Sequence, residues 1–139
     1  MPLNSVGPGW TRRRTRMLAC SLEDRGSDIA GVHLAGQLCA ATAPELARTL
    51  NRAERQARLV LLDLRELTFI DACGLHAIVA AGIRARRAGG RLVAVRKPGT
   101  VDPVFALRAA TTVVDIVDLH PGQPAVQALL TLAQRDRAA

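Results

Sequence analysis

The sequence predicts an α/β domain: a mostly parallel central sheet with an N-terminal antiparallel strand, flanked by about four helices. Three observations carry this. Short β-like runs alternate with segments of helical period along most of the 139 residues, which calls for a parallel sheet with right-handed crossovers. The run "RLVLLDL" is continuously apolar between charged ends, as in a strand covered on both faces. The two earliest β-like runs are separated only by "DRGSD", a turn too short for anything but a hairpin.

The elements follow in order. "RMLACSLE" reads as a short strand. "IAGVHLAG" alternates Ile29, Gly31, His33 and Ala35 against Ala30, Val32 and Leu34, and is the second. The period then changes. Thr42 and Glu45 have capping-box spacing, and Pro44 suits a first helical turn. Leu46, Leu50 and Ala53 define an apolar face over about residues 43–56, with Arg48, Arg52 and Arg55 on the polar side. The strand "RLVLLDL" comes next, then "RELTFIDACG", then a helix over about residues 73–88. Its expected buried face is Leu75, Ile78, Val79, Gly82 and Ile83. Arg84, Arg86 and Arg87 complement the dipole of its last turn, and Gly89-Gly90 ends it. "RLVAV" is a strand and residues 101–110 a short helix. "VVDIVDL" is the last strand, and "AVQALLTLAQRDR" a closing helix. The organisation read from this is a basic, flexible tail at residues 1–16 and one domain at 17–139.

Composition narrows the function classes. Apolar residues are 49 % and aromatics 2 %, so the core is built from Val, Leu, Ile and Ala. The net charge is +7, but Arg12, Arg13, Arg14 and Arg16 lie in a tail without acids, so the remainder is only mildly basic. That remainder has no aromatic stacking platform, and no direct nucleic-acid contact is expected from it. The first residues lack the apolar core of a signal peptide, and no apolar run is long enough to span a membrane. The expectation is a cytoplasmic protein without membrane contact. Cys20, Cys39 and Cys73 have no metal-ligand spacing, and neither do His33, His76 and His120, so neither a metal nor another cofactor is expected. There is no glycine-rich phosphate loop and no assembled triad, so no catalytic residue is assigned.

Three stretches carry a resemblance. "VHLAGQLCAATAPEL", "VLLDLRELTFIDACGLHAI" and "AGGRLVAV", in this order and spacing, resemble the STAS domain of bacterial anti-sigma factor antagonists. The resemblance implies a protein that binds an anti-sigma factor, often a serine kinase of the GHKL type, and so frees the sigma factor. In regulated members the kinase phosphorylates the serine after the signature aspartate. Here that aspartate is Asp71, and Ala72 stands where the serine would be. Ala72 has no hydroxyl and cannot be phosphorylated. The usual Gly-Glu-Leu-Asp pattern of the second strand reads Gly36, Gln37, Leu38, Cys39. The resemblance therefore implies a docking surface whose common switch is missing. Its expected partner-binding residues are Asp71, Ala72, Cys73, Gly74, His76, Ala77, Cys39 and Thr42.

Asp71 is also expected to cap the helix that follows it. Cys73 lies in that helix's first turn, where unpaired N–H groups favour a thiolate. Cys39 and Cys73 are thus candidate redox residues, each placed at the mouth of a helix after a parallel strand. Two other readings stay open. One is a thiol-based redox-sensing module or enzyme using Cys73. The other is a STAS subunit of a stressosome-like or lipid-transport assembly. The oligomeric state is left open.

Overall fold

The computed structural model describes residues 17–98 and 112–138. The strands are β1 (Leu18–Asp24), β2 (Ile29–Leu38), β3 (Leu59–Ile70), β4 (Arg91–Arg96) and β5 (Asp115–Asp118). The helices are α1 (Ala43–Gln56), α2 (Ala72–Arg87) and α3 (Gln127–Ala138). The strands form one sheet in sequential order; β1 pairs antiparallel with β2, and all other pairs are parallel. The hairpin and the parallel sheet are therefore as the sequence predicts. Three helices lie among the described residues. The helix expected at 101–110 falls outside them.

The continuous apolar run has its explanation in β3, the central strand. Val60, Leu62 and Leu64 point into one core, shared with Leu46 and Leu50 of α1 and Leu75 and Ile78 of α2. Leu61 points to the opposite face and packs with Val93, Val95 and Val117 beneath Ala128 and Leu132 of α3. Alternation is present, but both faces are dry as far as Leu62, so no polar residue marks it there.

Next along that second face, Asp63 and Arg65 replace apolar side chains. Their pair is 2.8 Å long, with side chains 13 % and 10 % exposed. Burial acts to raise the Asp63 carboxyl. Hydrogen bonds from the Arg65 side chain and backbone, with the guanidinium charge, outweigh it and hold the carboxyl below its ordinary range. Arg65 also donates to the carbonyls of His120 and Gln123. It thus pins the turn that leads into α3. Arg91 binds Asp115 at 2.6 Å and Asp136 at 3.3 Å, tying β4 to β5 and α3.

Several boundaries and faces differ from the sequence reading. β3 continues through "RELTFI" to Ile70, because β2 stays paired with it past two register shifts, as far as Leu38 opposite Ile70. β5 is only four residues long. Ile83 does not belong to the buried face of α2; it is exposed, and Ala81 and Ala85 are buried instead. The cause is Gly82, where an added Cβ would lie 2.7 Å from the Val113 carbonyl oxygen. The helix faces the neighbouring segment with Gly82, and Ile83 lies about 100° further round the helix, on its outer side.

Candidate functional site

The site lies where β2 and β3 end side by side and hand over to α1 and α2. Parallel neighbours finish on the same edge of a sheet, so the 38–42 loop and the 70–74 turn are adjacent. Asp71 joins them. It is the N-cap of α2 in extended conformation, and its Oδ1 accepts a hydrogen bond from Gly74 N at 2.9 Å. Its Oδ2 accepts one from Ala40 N at 3.3 Å, and its own N–H donates to the Leu38 carbonyl at 3.1 Å. The capping role read from the sequence is present. The second bond, across to the other loop, is not visible in sequence.

Gly74 makes the close approach possible. An added Cβ would stand 2.6 Å from Leu38 Cγ and 2.9 Å from the Leu38 carbonyl oxygen. Gly74 is buried, so its place is between the loops rather than on the surface.

Thr42 requires a correction. It occupies the N-cap position of α1, but its backbone is helical (φ −107°, ψ −13°) and its side chain makes no capping bond. Its hydroxyl donates to the Gln37 carbonyl at 2.9 Å and accepts from Cys39 N at 2.9 Å. The capping-box spacing of Thr42 and Glu45 therefore serves a different purpose: Thr42 latches the loop onto the end of β2. At 7 % exposure it holds the site's shape from beneath.

What the edge presents outward is small. Ala72, Cys73 and His76 are exposed, and Ala77 is half-buried, so these four share the first turns of α2 on its open side. Cys39 is half-buried, with Sγ 3.8 Å from the Thr42 hydroxyl, and both Cys39 and Cys73 are free thiols. The sequence reading missed Phe69. It is 51 % exposed, two residues before Asp71 and opposite Gln37. Two register shifts interrupt the strand's alternation here, and Leu67 packs against the core, so no local period marks Phe69 as exposed. Arg96 ends β4 but is paired with Asp118 at 3.1 Å.

The surface thus combines small side chains with exposed His76 and Phe69 above a hydrogen-bonded base. Among the described residues no three His, Cys, Asp or Glu side chains are grouped to hold a metal ion, and no helix is long and apolar enough to cross a membrane.

Comparison with known proteins agrees with this architecture. The chain is 28 % identical over 103 residues to the anti-sigma-B factor antagonist of Listeria monocytogenes, covering 73 % of this chain and 88 % of that protein. Its fold matches the anti-sigma factor antagonist SpoIIAA in its unphosphorylated form, with a TM-score of 0.63 at 13 % identity over 83 % of this chain and 98 % of that one. An anti-sigma factor antagonist from Mycobacterium paratuberculosis matches with a TM-score of 0.63 at 20 % identity, covering 84 % and 94 %. The STAS domain family matches residues 24–120, from the end of β1 to just beyond β5, and with the signature turn at Asp71 and the sheet order in place the chain belongs to that family.

Proposed function

We propose that this chain is an anti-sigma factor antagonist that works by binding alone, from the cytoplasm, with the Asp71–Ala77 edge as its docking surface. One observation carries the reading: the Asp71 carboxylate locks the two loops of that edge together, while the exposed residue beside it, Ala72, is small and uncharged. The names of the Listeria relatives support the same function. Phosphorylation at the position after the signature aspartate would place about −1.5 to −2 charge in the interface. Alanine there is a permanent uncharged state, so this antagonist is competent without dephosphorylation. Where the partner is a GHKL-type kinase, its kinase activity has no substrate at residue 72.

The test is calorimetry against the purified anti-sigma factors of the same genome. Expected is one-to-one binding to at least one of them. Ala72→Glu weakens that binding about tenfold or more, because it puts a charge where the partner offers no counter-charge. Ala72→Ser binds as the parent does. Absence of binding to every anti-sigma factor of the genome removes the proposal. Equal affinity of the parent and the Glu variant moves the interface elsewhere.

A thiol switch is a second, separable reading. It is supported by the position of Cys39 and Cys73 in the two loops that Asp71 joins. Mild oxidation followed by peptide mapping tests it. A Cys39–Cys73 crosslink with altered partner affinity supports the switch; two free thiols with unchanged affinity end it.

A further inference from the structure

A second surface lies between α1 and the outer strand of the sheet. β1 is the outer strand of the sheet, so one of its edges has no strand beside it among the described residues. Between β1 and α1 runs an open groove of about 420 Å³, lined by Cys20, Arg48, Thr49, Asn51, Arg52 and Arg55, with Glu45 at one end. Arg48, Arg52 and Arg55 make no ion pair or side-chain hydrogen bond among the described residues, whereas Arg58, Arg65, Arg84 and Arg91 are all in ion pairs. Three guanidinium groups without an ion pair among the described residues thus follow one side of a groove bordered on its other side by Cys20 of β1.

We propose that this groove binds an acidic, extended segment of a partner protein, added as a strand beside β1. Charge selects the sign of the occupant. Spacing selects its form. Arg48 and Arg52 are separated by about 6 Å of helix rise. Alternate residues of a strand are about 6.8 Å apart, so acids at every second position meet successive arginines. Strand addition supplies main-chain hydrogen bonds, and the arginines supply sequence preference.

The other occupants fit less well. The chain's own residues 1–16 hold Arg12, Arg13, Arg14 and Arg16 and no acid, so they lack the charge that the three arginines select. A second copy pairing edge to edge through β1 would bring two arginine rows together; charge beside an open edge is a device against self-association. Nucleic acid shares the sign but has no use for the strand edge.

Fluorescence anisotropy on the full chain tests this. The probe is a labelled peptide of about ten residues with Glu and Val alternating. The controls are a peptide of the same composition with its Glu residues in one block and a single-stranded oligonucleotide of similar charge. Expected is tightest binding of the alternating peptide, weakened about tenfold or more by the triple change R48E/R52E/R55E. The charge-matched change R12E/R13E/R14E has less than about a threefold effect. The milder R48Q/R52Q/R55Q, checked for an unchanged melting curve, reproduces the loss if the first variant folds poorly. Equal losses in the two charge-matched variants reduce the effect to net charge and overturn the proposal. So do equal binding of the blocked peptide, absence of peptide binding, and tighter binding of the oligonucleotide. None of these outcomes bears on the Ala72 surface.

Discussion

At the scale of single residues, Asp71 and Gly74 decide whether the proposed docking edge has one shape. Asp71→Ala removes a helix cap and the bond to Ala40 N together. Caps of this kind are worth about 1 kcal/mol, with an upper range of about 2. The expected loss is in that upper range, read from urea unfolding, with Asp71→Asn recovering only the cap, because its single side-chain oxygen can accept from Gly74 N while its NH2 group faces the Ala40 N–H. Gly74→Ala gains about 1 kcal/mol of helix propensity, yet its new Cβ meets the Leu38 carbonyl oxygen at 2.9 Å. A backbone oxygen cannot swing aside as a side chain does, so the loops must separate. The variant is expected to lose about 1–3 kcal/mol net of overpacking, and to weaken partner binding even though Gly74 itself is buried. Loss of affinity in Asp71→Ala and Gly74→Ala, with Ala72→Ser unaffected, separates a shaped surface from a set of contact atoms.

At the scale of elements, sequence legibility followed the source of each element's stability. α1 was readable to its boundaries because its buried residues Leu46, Leu50 and Ala53 repeat at helical spacing against a polar face. β3 was readable only where it is apolar; its last six residues are strand because β2 lies beside them, which no local pattern reports. Thr42 had the composition of a cap and the position of one, but its hydroxyl found the Gln37 carbonyl and Cys39 N instead. Asp71 was read correctly as a helix cap; the Asp71–Ala40 tie and exposed Phe69 were not legible, since they depend on two segments meeting. The attachment of α3 was equally hidden. Besides its core contacts and the Arg91–Asp136 pair, it is held through Arg65, whose guanidinium binds Asp63 and the His120 and Gln123 carbonyls in the turn before it. Arg65→Ala leaves Asp63 buried without its partner, at an expected loss of about 3 kcal/mol. Hydrogen exchange should then quicken in α3 before it does in α1 or α2. Arg65→Lys should not restore protection, since one ammonium cannot replace the planar fork that reaches the carboxylate and both carbonyls.

At the scale of the whole molecule, the Asp63–Arg65 pair and the net charge of +7 act together as the pH falls. Asp63 has a folded-state value lowered from 3.8, so the folded protein binds this proton less readily than the unfolded chain. Its contribution to stability is therefore fully present above 3.8 and is lost as the pH falls through the lower, folded value. Protonation of the other carboxylates over the same range raises the positive charge, and self-repulsion adds to the loss. Acid unfolding should accordingly begin on the α3 face of the sheet. Asp63→Asn tests the assignment. The variant is expected to be less stable than the parent at neutral pH, because the Arg65 charge stays buried without a counter-charge. Its stability should also fall less steeply below 3.8, because the titrating group is gone. The two stability curves, measured by urea unfolding at successive pH values, should converge at low pH. Parallel curves, with a constant gap across the acid range, would show that Asp63 contributes through packing alone and that acid sensitivity arises elsewhere in the chain.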